Sequence, residues 1–214
     1  FPTGFESSAI GSIPEGWRVG KLGDVCTNAR DQAKPGAIPP DTPYIGLEHM
    51  PKRSIALEDA GTAEGLESGK FWFEREDVLF GKLRPYFHKV GLAPCAGVCS
   101  TDILVLRPRE PKWLGFLAMH ASSDELIAYA TQLSNGARMP RTSWQDVAAF
   151  RVAIPPEGIA EAFNYMVEPL FQRISANIEA AKLLMGVRDT LLPRLIGGKL
   201  RLPECQEELR EMIA

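Results

Sequence analysis

The dipeptide Pro155-Pro156 limits how this chain can fold more than any other feature. Two consecutive prolines remove two backbone donors and disfavour helix in the residue before each, so the strand-like text ending at Ile154 stops there. A different text follows. Phe163, Val167, Leu170, Ile174, Ile178, Ala181, Met185 and Leu192 step by threes, fours and a seven, flanked by Arg173, Glu179, Lys182 and Arg188. This spacing predicts a main helix from about 169 to 196. Pro169 is a kink or a first turn, and Pro193 with Gly197-Gly198 closes the helix. At 1.5 Å per residue such a helix is roughly 40 Å long, more than a domain of this size needs to cover its own core. Part of it should therefore project, and the near-heptad seam should meet a second helix.

Before the prolines the apolar runs are short and bounded by turn residues, as in Pro43-Tyr-Ile-Gly-Leu47, Phe71-Trp-Phe73, Val78-Leu-Phe80 and Ile103-Leu-Val-Leu106. These read as strands. Two helices interrupt them, one from Lys112 to about Ala121 and one near Asp124 to Gln132, where Leu126, Ile127 and Ala130 share a face. The first sixteen residues are punctuated by Gly, Ser and Pro and read as an irregular lead-in anchored by Trp17. The expected fold class is α+β: a strand-rich globular domain over 1–154, a long C-terminal coiled-coil helix region over 155–202, and a tail over 203–214. No repeat and no low-complexity segment alters that division.

Of 214 residues 45% are hydrophobic, enough for one good core, and no apolar run approaches the roughly 20 residues of a membrane span. Four cysteines in a chain this long do not make a disulfide scaffold, which implies reduced thiols and a cytoplasmic setting. Phe1 stands where an initiator methionine would, and no signal peptide follows, which points to a processed chain or a piece of a longer one.

The formal net charge is −3, so a uniformly basic nucleic-acid binder is excluded, but a basic face is not. Charge reverses locally. Phe80-Gly-Lys-Leu-Arg-Pro-Tyr86, followed by His88 and Lys89, holds three cations and no acid, and Ser134-Asn-Gly-Ala-Arg-Met-Pro-Arg141-Thr-Ser-Trp144 repeats the chemistry with two arginines, a Gly and a Pro to shape a loop and Trp144 to anchor it. Guanidinium and ammonium groups suit phosphate oxygens, and Arg and His also reach base edges. A polyanion is the expected partner, with double-stranded DNA gripped by two such loops.

Signals for catalysis are weak. Gly65-Leu-Glu-Ser-Gly69-Lys70 is one residue too short for a phosphate loop and has no Ser or Thr after its lysine. Cys95 and Cys99 have no second Cys or His pair with which to hold zinc, and His49, His88 and His120 lack metal spacing. Asp41 and Glu48 with Lys52 form no recognisable nuclease cluster. The expectation is a non-enzyme without cofactor or metal. A small nuclease or nucleotide-modifying enzyme, and a coiled-coil adaptor that binds no DNA, are the competing readings.

Taken in order, several segments resemble the specificity subunit of type I restriction-modification enzymes over almost the whole chain. They are Phe1-Pro-Thr-Gly-Phe-Glu6 with Ile13-Pro-Glu-Gly-Trp17, Tyr44-Ile-Gly-Leu-Glu48, Asp77-Val-Leu-Phe-Gly-Lys-Leu-Arg-Pro-Tyr86, and Cys99-Ser-Thr-Asp102 with Leu104-Val-Leu-Arg-Pro108. Met139-Pro-Arg141 with Trp144, Ile154-Pro-Pro-Glu157, and Arg188-Asp-Thr-Leu-Leu-Pro-Arg194 with Gly198 complete the series. The resemblance makes 1–154 a target recognition domain and the helix a spacer. A full subunit of that family carries two of each, so this chain corresponds to a half-subunit that pairs with itself or to a fragment holding one half, with some preference for the second half.

The resemblance also implies a non-catalytic role: choosing one half of a bipartite DNA target for methyltransferase (M) and restriction (R) subunits. Residues in signatures shared between domains of different specificity are poor base readers. Lys82, Arg84 and Arg141 are therefore expected at phosphates or in the scaffold, and Lys52, Arg53, Tyr86, His88, Lys89, Asn135 and Arg138 in the groove. Leu170, Ile174, Ile178, Ala181, Met185 and Leu192 are expected to form the dimerisation seam.

Overall fold

In the computed structural model residues 3–198 are described, and the chain divides into two compact units, Phe1–Pro169 and Leu170–Ala214. The strands of the first are β1 (Phe5–Ser8), β2 (Gly11–Pro14), β3 (Arg18–Lys21), β4 (Cys26–Ala29), β5 (Gln32–Ala33), β6 (Pro43–Ile45) and β7 (Gly61–Thr62). They continue with β8 (Lys70–Phe73), β9 (Val78–Gly81), β10 (Val90–Leu92), β11 (Gly97–Cys99) and β12 (Ile103–Pro108). Then come α1 (Leu114–Ala121), α2 (Asp124–Gln132), α3 (Trp144–Ala149), β13 (Arg151–Ile154) and α4 (Glu157–Ile196), the last running from the first unit into the second.

Two sheets carry the core. One has the order β10-β9-β12-β4 and is antiparallel throughout; the other has the order β5-β8-β11-β6-β7 with one parallel pair, β11 with β6. Side chains alternate across each strand, so a single register sorts them into faces. Leu79 pairs with Val105 in the first sheet, Cys99 with Ile45 in the second, and all four belong to one buried cluster with Phe73, Met50 and Ile103. The sheets therefore share a core. The opposite face of the first sheet presents Phe80 beside Leu104 and Val78 beside Leu106, all buried, and α1 packs against its strands β9, β10 and β12. Each such side chain contributes about 1.5–3 kcal/mol through lost apolar surface.

A buried ion pair fixes one end of this sheet. Asp77, just before β9, accepts two hydrogen bonds from Arg107 of β12, from Nε at 2.8 Å and Nη2 at 2.7 Å, and a third from the Glu74 backbone N–H at 2.7 Å. The Asp77 bonds are the chief reason the Arg107 guanidinium is held above its already high ordinary pKa. The fork-to-fork geometry pins the β8–β9 turn onto β12.

The α+β class is as expected, with a long C-terminal helix, and α2 occupies the range the sequence suggested. Three details differ. The lead-in is not irregular: β1 and β2 form a hairpin turning at Ala9 and Ile10, which the sequence hides because of these two strands only Ile13 is buried. Trp144 does not anchor a loop but begins α3, capped by Ser143 and Asp146 bonding each other's backbone N–H. The Ser-x-x-Asp spacing carried that signal. Third, α4 begins at Glu157, twelve residues ahead of the expected main helix, with Pro169 inside it. Pro169 has no N–H to give the carbonyl of Tyr165, and it stands on an exposed face of the helix, where Tyr165 is 81% exposed.

In the second unit Phe171, Ser175 and Ile178 are buried on one face of α4, and Val187 and Leu191 form a further small cluster with Leu195. Residues 203–214, expected as a tail, lie outside the described residues.

Burial drives the Cys26 and Cys99 thiols up to about 12. At pH 8 only about one in ten thousand of such thiols is ionised, and the thiolate is the reactive form. Neither residue should label with a thiol reagent in native buffer, whereas both should label fully in denaturant, as read by site-resolved mass spectrometry. Native-state labelling of either at the rate of a free thiol would contradict the buried core.

Candidate nucleic-acid interface

The two basic segments are not separate loops. After β9 the chain runs through Lys82 and Leu83, makes a short 3-10 turn at Pro85–Phe87 and returns along β10. Across it lies the loop between α2 and α3, and backbone bonds stitch the two together. The Arg84 N–H donates to the Pro140 carbonyl at 2.7 Å, the Thr142 N–H donates to the Lys82 carbonyl at 3.0 Å, and Leu83 bridges Arg141. The second loop is closed on itself by a pair of bonds between Asn135 and Arg141, with Gly136 supplying a φ of 109° that a side chain would resist.

A third segment joins from the other side. The Arg53 N–H donates to the His88 carbonyl at 2.9 Å, and Lys52 Nζ stands 4.6 Å from the centre of the Phe87 ring. All ten residues expected at a DNA interface thus belong to three segments joined by backbone bonds. The sequence offered no spacing that would have linked 52–53 to 82–89 or to 135–141.

Within this surface the side chains divide by what they touch. Lys52, Lys82 and Arg138 have no carboxylate partner among the described residues. Tyr86 is half exposed and meets Phe87 edge-on. Arg141 donates from Nε to Asp102 at 3.1 Å, and Arg53 pairs with Asp124 at 3.0 Å, both partly solvated. Two others turn inward. His88 is buried, with Nε2 2.8 Å from the Ser122 carbonyl and Nδ1 3.4 Å from an Asp124 carboxylate oxygen outside hydrogen-bonding geometry. Lys89 donates from Nζ to the Leu47 carbonyl.

Two kinds of unrelieved cost gather here. Among the described residues four non-glycine residues have left-handed backbone geometry, and three of them, Arg53, Arg84 and His88, belong to this surface. Such residues cost of order 1–3 kcal/mol each and persist only where their surroundings hold them. Among the described residues four buried side-chain atoms lack a hydrogen-bond partner. Three are here: Arg84 Nε, His88 Nδ1 and Thr142 Oγ1. Strain and unmet polar groups cluster at sites that do something besides fold.

Sequence reasoning missed the acids and the threonine that organise this surface. Asp102 closes the turn into β12 and steers Arg141; Asp124 opens α2 and meets both Arg53 and His88; Thr142 carries the backbone bond to Lys82. Asp102 and Thr142 stood inside quoted motifs, but a search for acid-free segments passes over acids by construction.

The other expectations concern α4 and metals. Of the seam residues, Ile178 is buried and Ile174 half-buried, while Leu170, Ala181, Met185 and Leu192 are exposed, together with Leu183, Leu184 and Ile196. No group of three or more His, Cys, Asp or Glu among the described residues is arranged to hold a metal. No helix among them is long and apolar enough to cross a membrane.

No family model matches this sequence. It is similar to curated specificity subunits of two type I restriction enzymes. It is 23% identical over 209 residues to the MjaIX subunit of Methanocaldococcus jannaschii, covering 90% of this chain and 46% of that protein. It is 23% identical over 169 residues to the EcoDI subunit of Escherichia coli, covering 78% of this chain and 37% of that one. The chain thus spans less than half the length of the curated relatives it matches. Its fold is that of the HsdS subunit from Thermoanaerobacter tengcongensis, with a TM-score of 0.62 at 21% identity over 87% of this chain and 49% of the other. A structure describing complex assembly and conformational transition of the type I R-M system matches with a TM-score of 0.61 at 21% identity, over 89% of this chain and 51% of that one.

Proposed function

We propose that this chain is a DNA-reading half of a type I restriction-modification specificity subunit, one target recognition domain with one spacer helix. Its single strongest support is the stitched basic surface, where three segments distant in sequence converge with their strain and unmet donors. Lys52, Lys82 and Arg138 face DNA with uncompensated charge, so they supply phosphate contacts and the salt dependence of binding. Tyr86 and Asn135 stand beside them to meet base edges, while Arg53 and Arg141 are held by Asp124 and Asp102. His88 and Lys89 act from behind, holding the turn that presents Tyr86. Arg84 does both, fixing Pro140 and Arg138 through its backbone and guanidinium. The domain reads a few base pairs, one half of a split target, and catalysis belongs to the M and R subunits that it brings to the site.

Binding of duplex DNA by the chain assembled with its methyltransferase subunits, followed by fluorescence anisotropy across a salt series, tests this directly. Each phosphate contact removed flattens the logarithmic salt slope by about one. Lys52→Ala, Lys82→Ala and Arg138→Ala should each show that loss, while Arg75→Ala, in the β8–β9 turn, should not. Arg84→Gly is a sharper variant than Arg84→Ala, because glycine accepts the left-handed backbone and isolates the loss of the guanidinium. Unchanged affinity and slope in all the lysine and arginine variants of this surface would refute the reading.

The spacer helix pairs with a second such helix, from another copy or from a separate half-subunit. Leu170, Ala181, Met185 and Leu192 support this, since they leave apolar surface along α4 in the single chain. Met185 and Leu192 are the residues to test, because Ile178 is already buried within the chain and a charge there would disturb folding itself. Met185→Glu/Leu192→Glu should lower the solution mass seen by light scattering while the melting curve of the recognition domain stays in place. A wild type that is monomeric at high concentration and ignores a separately supplied half-subunit would contradict the pairing.

A further inference from the structure

One arginine of the basic surface is both held and open. Arg53 has a left-handed backbone, with a φ of 56°, and its side chain is 68% exposed. Its N–H donates to the His88 carbonyl, and its Nη1 stands 3.0 Å from one Asp124 carboxylate oxygen and 3.4 Å from the other. Asp124 is the first residue of α2, and His88 Nε2 donates to the carbonyl of Ser122, two residues before it. Arg53 is thus fastened at two points, by its backbone and by the tip of its side chain. Stability does not explain the arrangement, because an exposed ion pair contributes less than the left-handed residues Arg53 and His88 cost.

Only one nitrogen of the guanidinium is engaged. Among the described residues no acceptor meets Nε or Nη2 of Arg53, so the planar group keeps one edge with two parallel donors. Two parts of duplex DNA offer a matching pair of acceptors, a phosphate and the O6/N7 edge of guanine, whereas adenine sets an acceptor beside a donor. Asp124 decides between them. Its carboxylate offsets the arginine charge and repels phosphate oxygens, while a neutral base edge needs only aligned donors. We propose that Arg53, aimed by Asp124, reads a guanine in the major groove of the target half-site, with Asp124 as the positioning residue. This deepens the function proposed above and rests on it. It also sets Arg53 apart from its neighbour Lys52, whose ammonium lies over the Phe87 ring and serves a phosphate.

The test uses the chain assembled with its methyltransferase subunits. It is presented with a pool of randomised duplexes, and the half-site that the wild type retains is sequenced. Each guanine of that half-site is then replaced by 7-deazaguanine, which carries C–H in place of the N7 acceptor, and affinity is read by fluorescence anisotropy. At one guanine the replacement should weaken the wild type about tenfold and leave Arg53→Gly, whose glycine keeps the left-handed backbone, unaffected. Lys52→Ala should bind every duplex more weakly and keep the full cost of the replacement. Asp124→Asn should move two readouts in opposite directions: unrelated duplex binds more tightly, with a salt slope steeper by about one, while the cost at that guanine shrinks. An ion pair that only holds the surface together would not do so, and this variant carries the test if Arg53→Gly does not fold. A selected half-site without guanine overturns the proposal and leaves the domain a DNA reader. So does a 7-deazaguanine cost that is the same in the wild type, Arg53→Gly and Asp124→Asn at every guanine. A wild type that retains no sequence over any other overturns the reading of the domain as well.

Discussion

The interface depends on a short run of backbone pairing between 82–84 and 140–142. Side chains alone would not hold two cationic loops together, since Lys82, Arg84, Arg138 and Arg141 carry like charges. The backbone bonds from Arg84 to Pro140 and from Thr142 to Lys82 set the spacing, and Asp102 offsets part of the charge by taking Arg141. Everything upstream serves that geometry. The shared core fixes β9 and β12, the Asp77–Arg107 clamp locks one end of that strand pair, and at the other end the chain emerges as Gly81-Lys82. Gly81 fits tightly there, because a Cβ would meet Leu47 Cδ2 at 2.9 Å and the Lys89 carbonyl oxygen at 3.2 Å and push those neighbours aside.

The charge pattern separates holding from attraction. Cations that meet a carboxylate or a carbonyl, such as Arg53, Arg141 and Lys89, keep the surface in one shape at modest net gain, since exposed pairs contribute about 0–1 kcal/mol. In the proposed reading, cations without such partners carry the electrostatic attraction to DNA. A surface built this way has a fixed arrangement before any polyanion arrives, which lowers the ordering cost of binding.

Much of this was legible in the sequence, for identifiable reasons. Strands buried on both faces appear as short apolar runs, and Val78-Leu-Phe80 and Ile103-Leu-Val-Leu106 announced themselves. The double proline marked where strand gives way to helix. The irregular-looking hairpin at 5–14 was hidden because exposed strands lack alternation. Pro169 misled because it lies on an exposed face of a helix that continues through it. The candidate residues at 82–89 and 135–141 followed from composition, but their convergence with 52–53 did not. Contacts between residues far apart in sequence leave no trace in spacing, and the acids at 102 and 124 look like ordinary loop and cap residues until the fold sets arginines against them.

Hydrogen exchange of the assembled chain with and without duplex DNA tests the central claim most directly, because it reads all three segments at once. Protection on binding should appear together in 52–53, 82–89 and 134–142 and be absent from the turn at 74–77. Protection confined to one of the three segments, or centred on 74–77 and 107–111, would contradict the account.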